Sequence, residues 1–446
     1  MFPPMNRREV LRLAGAGLAM APMAPLQALA QTATGGYRAL VCLFLYGGND
    51  SNNLIVPTDT TPYGVYRATR PNLAIPREQL LPLAPTNTGG ATYGLHPAMP
   101  GLQQLFTAGK AAFVANVGPL MVPTSKAQWS QRSVPLPMNL FSHSDQQGIW
   151  QSAIAAENAR HGWGGRLLER LIADNAPRRG YAALSVAGNN TWEAGDRTLQ
   201  AYRISALGEF GFSFFDPEGT DILSMEINAM LSEQRADPFE QTWVDVMGRS
   251  VENQKIVSNA IGGLNLATPF PNTGLGRQLQ TIARLIGARG GMGLQKQCFF
   301  CSIGGFDTHG DDQLQQQNQL FGEISAAVTA FHQATVELGV ENEVTLFSAT
   351  DFGRTFRSNG QGTDHGWGSH QFAVGGAVRG GQILGTFNDL TPGGPDDVGN
   401  NGVWIPTTGV DQFGADLGRW FGASETVLRE VFPRLSYFNP TIGLMA

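Results

Sequence analysis

RALVCLFLYGGND, residues 38–50, carries no charged side chain between Arg38 and Asp50. A strand with one wet face alternates apolar and polar residues. The run from Arg38 to Tyr46 is apolar at successive positions, so both faces of the strand must be covered, the pattern of a central strand between layers of helices. The run ends in Gly47-Gly48-Asn49-Asp50, a turn that leaves an aspartate at the strand's carboxyl end.

Four more segments read as strands: AAFVANVG (Ala111 to Gly118), QCFFCSIGGFD around Cys298, VTLFSATDFGRT around Phe347, and HQFAVGGAV (His370 to Val378). Helical patterns lie between them, from Pro97 to Ala108, Asp145 to Glu157, Gly165 to Asp174, Gln278 to Ile286 and Gln313 to Leu338. Alternating strands and helices predict an α/β fold with a doubly wound, mostly parallel sheet flanked by helices. Residues 180–273 break the alternation. Strand signals are weak there, and a polar helical stretch runs from Asp221 to Ile261, so this region reads as an inserted cap. Near the C-terminus, Asp411 to Trp420 reads as a surface helix.

The chain has 446 residues, 42% hydrophobic and 15% charged, enough for one large domain with a substantial core. Its 56 glycines and 26 prolines point to long loops without fibrous periodicity. With a net charge of −6 and no basic tract, no nucleic-acid partner is expected. The N-terminus reads as a twin-arginine signal peptide over residues 1–30. Arg7-Arg8 precedes a modest apolar run that closes in Ala28-Leu29-Ala30, a small-x-small cleavage pattern. Pro22 and Pro25 interrupt that run, which is short of the ~20 residues a membrane span needs. Translation is expected to start at Met5 and the mature chain near Gln31. Cleavage removes Arg7, Arg8, Arg12 and Glu9, taking the formal charge from −6 to −8. The expected location is periplasmic or secreted, the expected partner is the twin-arginine export machinery, and no stable membrane insertion follows cleavage.

Of the three cysteines, Cys298 and Cys301 have redox-pair spacing. They sit in an apolar strand, where residues three apart point to opposite faces, so they read as core residues.

In a parallel α/β sheet, ligands gather at the carboxyl ends of the strands. Polar groups recur there: Asp50, then Ser142-His143-Ser144-Asp145, then Asp307 and His309, then Asp351 and Arg354, and finally Asp364, His365 and His370. Parallel strands would converge them at one edge. Several carboxylates and imidazoles held together need a positive charge among them, and mixed Asp/His ligation suits a divalent metal such as zinc or manganese.

The motifs LFLYGGNDSNNLIVP, GLHPAM, GFDTHG and DFGRTFRSNGQGTDHGWGSHQFAVGGAVRGG, with the twin-arginine start, resemble the bacterial domain-of-unknown-function family 1501 over nearly the whole mature chain. That family is in turn similar to the alkaline phosphatase and sulfatase superfamily. The resemblance implies an alkaline phosphatase-like core. It also implies one or two divalent ions (Zn, Mn or Mg) on Asp50, Asp307, His309, Asp351 and His365, and a nucleophile at Ser142 or Ser144. Arg354 is placed to grip a phosphate or sulfate. Two departures stand out. Phe352 follows Asp351 where the superfamily has histidine, and Asp307 and His309 are two apart rather than four. The implied activity is metal-dependent hydrolysis of a small anionic ester. The alternative is an inactive relative serving as a periplasmic binding or assembly module.

Overall fold

The computed structural model describes residues 36–157, 159–173, 179–206 and 215–446. The expected signal peptide, residues 1–30, lies outside them. Residues Tyr37–Ala446 form one compact unit. Among the described residues twelve strands run in chain order: β1 (Arg38–Leu45), β2 (Ile55–Pro57), β3 (Leu81–Leu83), β4 (Tyr93–Leu95), β5 (Ala111–Gly118), β6 (Ala183–Ser185), β7 (Tyr202–Arg203), β8 (Lys296–Ile303), β9 (Val344–Thr350), β10 (Ser369–Val374), β11 (Ile383–Leu384) and β12 (Thr408–Gly409). Among the described residues, nine build the main sheet in the order β11-β5-β10-β9-β1-β8-β6-β7, with β12 beside β5. The strands β2, β4 and β3 form a small sheet apart.

The both-faces reading of β1 holds. Ala39, Val41, Leu43 and Leu45 pack into one core with the helices Gly274–Gly287 and Gln313–Glu337. Leu40, Cys42 and Phe44 pack into another with Trp163–Leu171 and Val410–Phe421. Each large apolar side chain sealed this way is worth about 1.5–3 kcal/mol relative to exposure, which is why β1 sits between β8 and β9, parallel to both.

Three local expectations change. The Val410–Phe421 helix is buried along most of its length, not a surface helix. Added Cβ atoms at Gly414 and Gly418 would lie 2.5 Å from the Phe432 ring and 2.8 Å from Leu428, so small residues let it press into the core. Within the expected insertion, β6 and β7 extend the edge of the main sheet. The polar helical stretch there is two helices, Ile222–Ser232 and Pro238–Gly262, the second capped by the Asp237 carboxylate and started by Pro238.

The third change concerns direction. Every pairing in the main sheet is parallel except those of β10, which runs antiparallel to β5 and β9. A loop leading into a parallel strand would open on the far edge of the sheet. Because β10 is reversed, its leading loop, residues 363–368, lies at the carboxyl edge with the others.

Cys298 and Cys301 fall in different cores on opposite faces of β8. Burial drives both thiols well above their ordinary range, with buried Glu193 adding to it, so neither is a ready thiolate.

Glu193 is fully buried. Its Oε2 accepts from Asn190 Nδ2 at 2.8 Å. Burial lifts its pKa from 4.5 to about 8, against the pull of Asn190. The native state therefore keeps a proton that the unfolded chain gives up near pH 4.5, and stability falls as pH rises from there to about 8. Glu193→Gln should remove that decline, making the variant more stable than the parent at pH 8.5 by on the order of a few kcal/mol and much closer to it at pH 4.5. Denaturant midpoints at the two pH values measure it, and parallel pH profiles for the two proteins would refute it.

Candidate metal centre

The tight turn after β1 brings the loops together. Gly47 and Gly48 have φ of +114° and +85°. A Cβ at Gly47 would stand 2.4 Å from the Asp307 backbone nitrogen, and one at Gly48 would stand 2.5 Å from the Phe352 ring. Only glycine allows this approach. Asp307 and His309 follow β8, Asp351 and Phe352 follow β9, and His365 precedes β10. His143 opens the helix His143–Ser152, reached through the long connection from β5.

Asp307 Oδ1 is the hub. His309 Nε2 is 3.0 Å away, and the Nε2 atoms of His143 and His365 are each 3.5 Å away. His309 and His365 face each other Nε2 to Nε2 at 3.1 Å. His143, Asp307 and His365 each offer one ligand atom to a common point, all within 4.8 Å of one another. Ligands about 2.0–2.1 Å from a tetrahedral ion stand about 3.3–3.4 Å apart, close to the separations around Asp307.

Partner chemistry assigns the protons. The Phe141 carbonyl can only accept, so His365 Nδ1, at 2.7 Å, donates to it. Arg354 can only donate, so His309 Nε2, 3.2 Å from Nη1, is the accepting nitrogen, and its Nδ1–H faces Asp364 Oδ1 at 3.4 Å. His143 Nδ1 lies 2.6 Å from Asp351 Oδ2 and donates to it, leaving Nε2 buried without a hydrogen-bond partner. The bare Nε2 atoms of His143 and His365 therefore face one carboxylate oxygen, each imidazole held through its other nitrogen, the arrangement of metal-ligating histidines, while His309 Nε2 accepts from Arg354.

Asp307 is half exposed, whereas the Asp351 side chain is fully buried, so the centre opens to solvent on the Asp307 side. Phe352 closes the other side, its ring 4.7 Å from that of His143 and 4.5 Å from that of His365. For Asp307, partial burial acts upward, but the Arg354 hydrogen bond and charge, with His143 and His309, hold the carboxyl below its usual range. His365 is pushed down, first by burial and then by the charges of Arg354 and His143, against the Phe141 carbonyl and Asp307.

Several sequence-based roles are revised. Asp50 does not reach the centre. It is buried in an ion pair with Arg70, and it also accepts from Gln313 Nε2 (2.6 Å) and Asn52 Nδ2 (2.9 Å). Asp351 acts behind His143: its Oδ2 accepts from His143, from Gln147 Nε2 (2.9 Å) and from the Gly47 amide (3.2 Å). The helix start delivers His143 instead of a serine. Ser142 Oγ donates to Asp145 Oδ2 at 2.6 Å and lies 3.4 Å from Ser144 Oγ, and among the described residues no contact joins either hydroxyl to Asp307 or to the imidazoles. Arg354 does not reach out for an anion. Its N–H groups go to the carbonyls of Gly47 (2.6 Å), Gly48 (2.9 Å), Phe306 (3.0 Å) and Thr363 (3.2 Å), to Asp307 and to His309. His143 was visible in the sequence as a histidine between two serines at a helix start, but nothing local ranked it above them. His370 is buried, its Nδ1 accepting from the Asn116 amide, and burial alone drives its pKa to about 3.

A family model described as "Protein of unknown function (DUF1501)" matches residues 37–400. The chain belongs to the DUF1501 family. No curated protein matches it. Among solved structures, the PsFucS1 sulfatase from Pseudoalteromonas sp. aligns with 12% identity and a TM-score of 0.35, over 95% of this chain and 73% of that one. The lipoteichoic acid synthase LtaP from Listeria monocytogenes aligns with 8% identity and a TM-score of 0.29, over 76% and 65%. A mutant form of the alkaline phosphatase PafA aligns with 10% identity and a TM-score of 0.29, over 73% and 64%. The DUF1501 chain thus spans just under two thirds of the last two. Among its described residues, no helix is long and apolar enough to cross a membrane.

Arg354→Met should destabilise the protein by about 3 kcal/mol or more, because it strands four carbonyls at least partly shielded from water and unpairs Asp307. Chemical denaturation measures it, and a loss below about 1 kcal/mol would contradict this role.

Proposed function

We propose that this DUF1501 protein is an exported metal-dependent hydrolase of phosphate or sulfate esters, with one divalent ion held by His143 Nε2, Asp307 Oδ1 and His365 Nε2. The observation that carries the reading is the pair of bare imine nitrogens His143 Nε2 and His365 Nε2, each 3.5 Å from Asp307 Oδ1. Two bare imine nitrogens facing one carboxylate oxygen repel it unless a cation joins them, and burial disfavours a proton on His365. Imidazole donors favour zinc or manganese over magnesium, which prefers all-oxygen ligation. Three ligands leave a fourth position open, as catalytic sites do. An imine nitrogen has one lone pair, so His309 offers Nε2 either to Arg354 or to the ion.

When bound, a divalent ion at this donor set supplies Lewis acidity and lowers the pKa of water. The chain's own residues do the rest. Asp351 and the Phe141 carbonyl hold His143 and His365 in their ligating tautomers. Phe352 keeps water from the closed side. The amide groups at the start of the His143–Ser152 helix and its dipole favour an anionic group at the open side. In this reading residues 1–30 are the twin-arginine signal peptide, removed near Gln31, and the mature protein is periplasmic or secreted.

A second reading, a non-catalytic binding module on the same metal centre, is favoured by the serine hydroxyls being turned to Asp145 and to each other. Metal analysis after loading with zinc and manganese, with turnover of p-nitrophenyl phosphate and p-nitrophenyl sulfate, separates the two. The expected outcome is about one ion per chain, with turnover reduced at least a hundredfold in Asp307→Ala and His365→Ala. An ion bound tightly without turnover would favour the module, and a chain that takes up neither metal would sink both.

A further inference from the structure

The helix that opens at His143 carries a second contact to the same acceptor. Gln147, one turn on, donates to the Asp351 oxygen that holds His143, and the Gly47 amide approaches it from the turn after β1. Three donors converge on this oxygen, Oδ2, the one that faces His143, and leave it no lone pair to give an ion; among the described residues the other oxygen, Oδ1, is buried without a hydrogen-bond partner. We propose that Asp351 is a positioning residue that locks the tautomer of His143 and so makes the first imidazole of the helix a metal ligand. This rests on the metal reading above.

The argument is geometric. His143 in its other tautomer would turn a bare Nδ1 toward Asp351 Oδ2 at 2.6 Å, lone pair against lone pair. It would also aim an Nε2–H across 3.5 Å into the centre, where an ion belongs. With Asp351 in place, the proton stays on Nδ1 and Nε2 is bare, buried and unpartnered. Gln147 and Gly47 hold the carboxylate still, so the helix docks with its imidazole already aimed. The link explains why an aspartate at the end of β9 looks like a ligand in the sequence yet stands one bond removed from the centre. Replacing such an acceptor behind a ligating histidine typically weakens metal binding by about 10–100-fold.

The test uses the full mature chain. Zinc and cobalt affinities of the parent and Asp351→Asn are compared by chelator competition. Cobalt absorption reports the ligand set, and ¹⁵N chemical shifts of the His143 imidazole in metal-free parent and Asp351→Ala report the tautomer. Circular dichroism confirms that both variants fold. Expected are a 10–100-fold loss of affinity in Asp351→Asn with the cobalt ligand set unchanged, and a shift from the Nδ1–H form toward mixed tautomers in Asp351→Ala. Unchanged affinity, an unchanged tautomer, or a cobalt spectrum that loses a carboxylate ligand in Asp351→Asn would each overturn the proposal, the last by making Asp351 itself a ligand. If the parent binds neither metal, the metal reading fails by itself, and the tautomer measurement still decides whether Asp351 governs His143.

Discussion

A single buried guanidinium ties the loops of the site together. Arg354 follows β9, and its N–H groups reach carbonyls after β1, after β8 and before β10, as well as Asp307 and His309. A charge taken out of water is costly unless every polar partner is met. Arg354 meets that condition only when the turn at Gly47-Gly48, the Phe306-Asp307 segment and the loop from Thr363 into β10 stand in one arrangement. The geometry of the centre is therefore coupled to the satisfaction of one side chain. The same saturation removes Arg354 from substrate binding, since a guanidinium with every N–H committed has nothing to give an anion.

Much of this was legible in the sequence, for physical reasons. Runs apolar on both faces can only be central strands, and polar residues that follow them can only lie at strand ends. That logic found Asp307, Asp351, Arg354 and His365 as neighbours. It failed where the answer depended on a partner distant in sequence. Asp50 looks like a ligand until Arg70, in a different element, neutralises it. Ser142 and Ser144 look like nucleophiles until the helix start is seen to turn His143 inward. The direction of β10 is not encoded by any local pattern, because a short apolar strand reads the same either way. Its reversal nevertheless brings His365 to the carboxyl edge. For Asp307 and Asp351 the convergence comes from parallel strands, as expected, and for His365 it comes from the one strand that is not parallel.

The imidazoles show how proton placement can reveal what a list of contacts does not. A carbonyl, a guanidinium and a carboxylate each have a fixed role as acceptor or donor. Set against His365, His309 and His143 in turn, they leave Nε2 unprotonated in all three, bare in His143 and His365 and accepting from Arg354 in His309. Each assignment is ordinary. Together they point two unshared lone pairs at the Asp307 carboxylate, the feature on which the proposed metal reading rests.

Within the proposed metal reading, charge counting argues for one ion. Asp50 and Arg70 cancel within their own buried pair. Around the imidazoles stand Asp307, Asp351 and Asp364, against one guanidinium, Arg354. With neutral histidines the balance is −2, the charge of a single divalent cation. A second divalent ion would need further anionic or imidazole ligands. The side chain after Asp351 is Phe352, which is apolar and packs its ring against His143 and His365. Phenylalanine offers no lone pair, and its bulk occupies the space beside His143 and His365. Two guanidiniums and one aromatic ring thus do, in this chain, what a second metal would otherwise have to do: neutralise the surplus carboxylates and fill the volume between the strand ends.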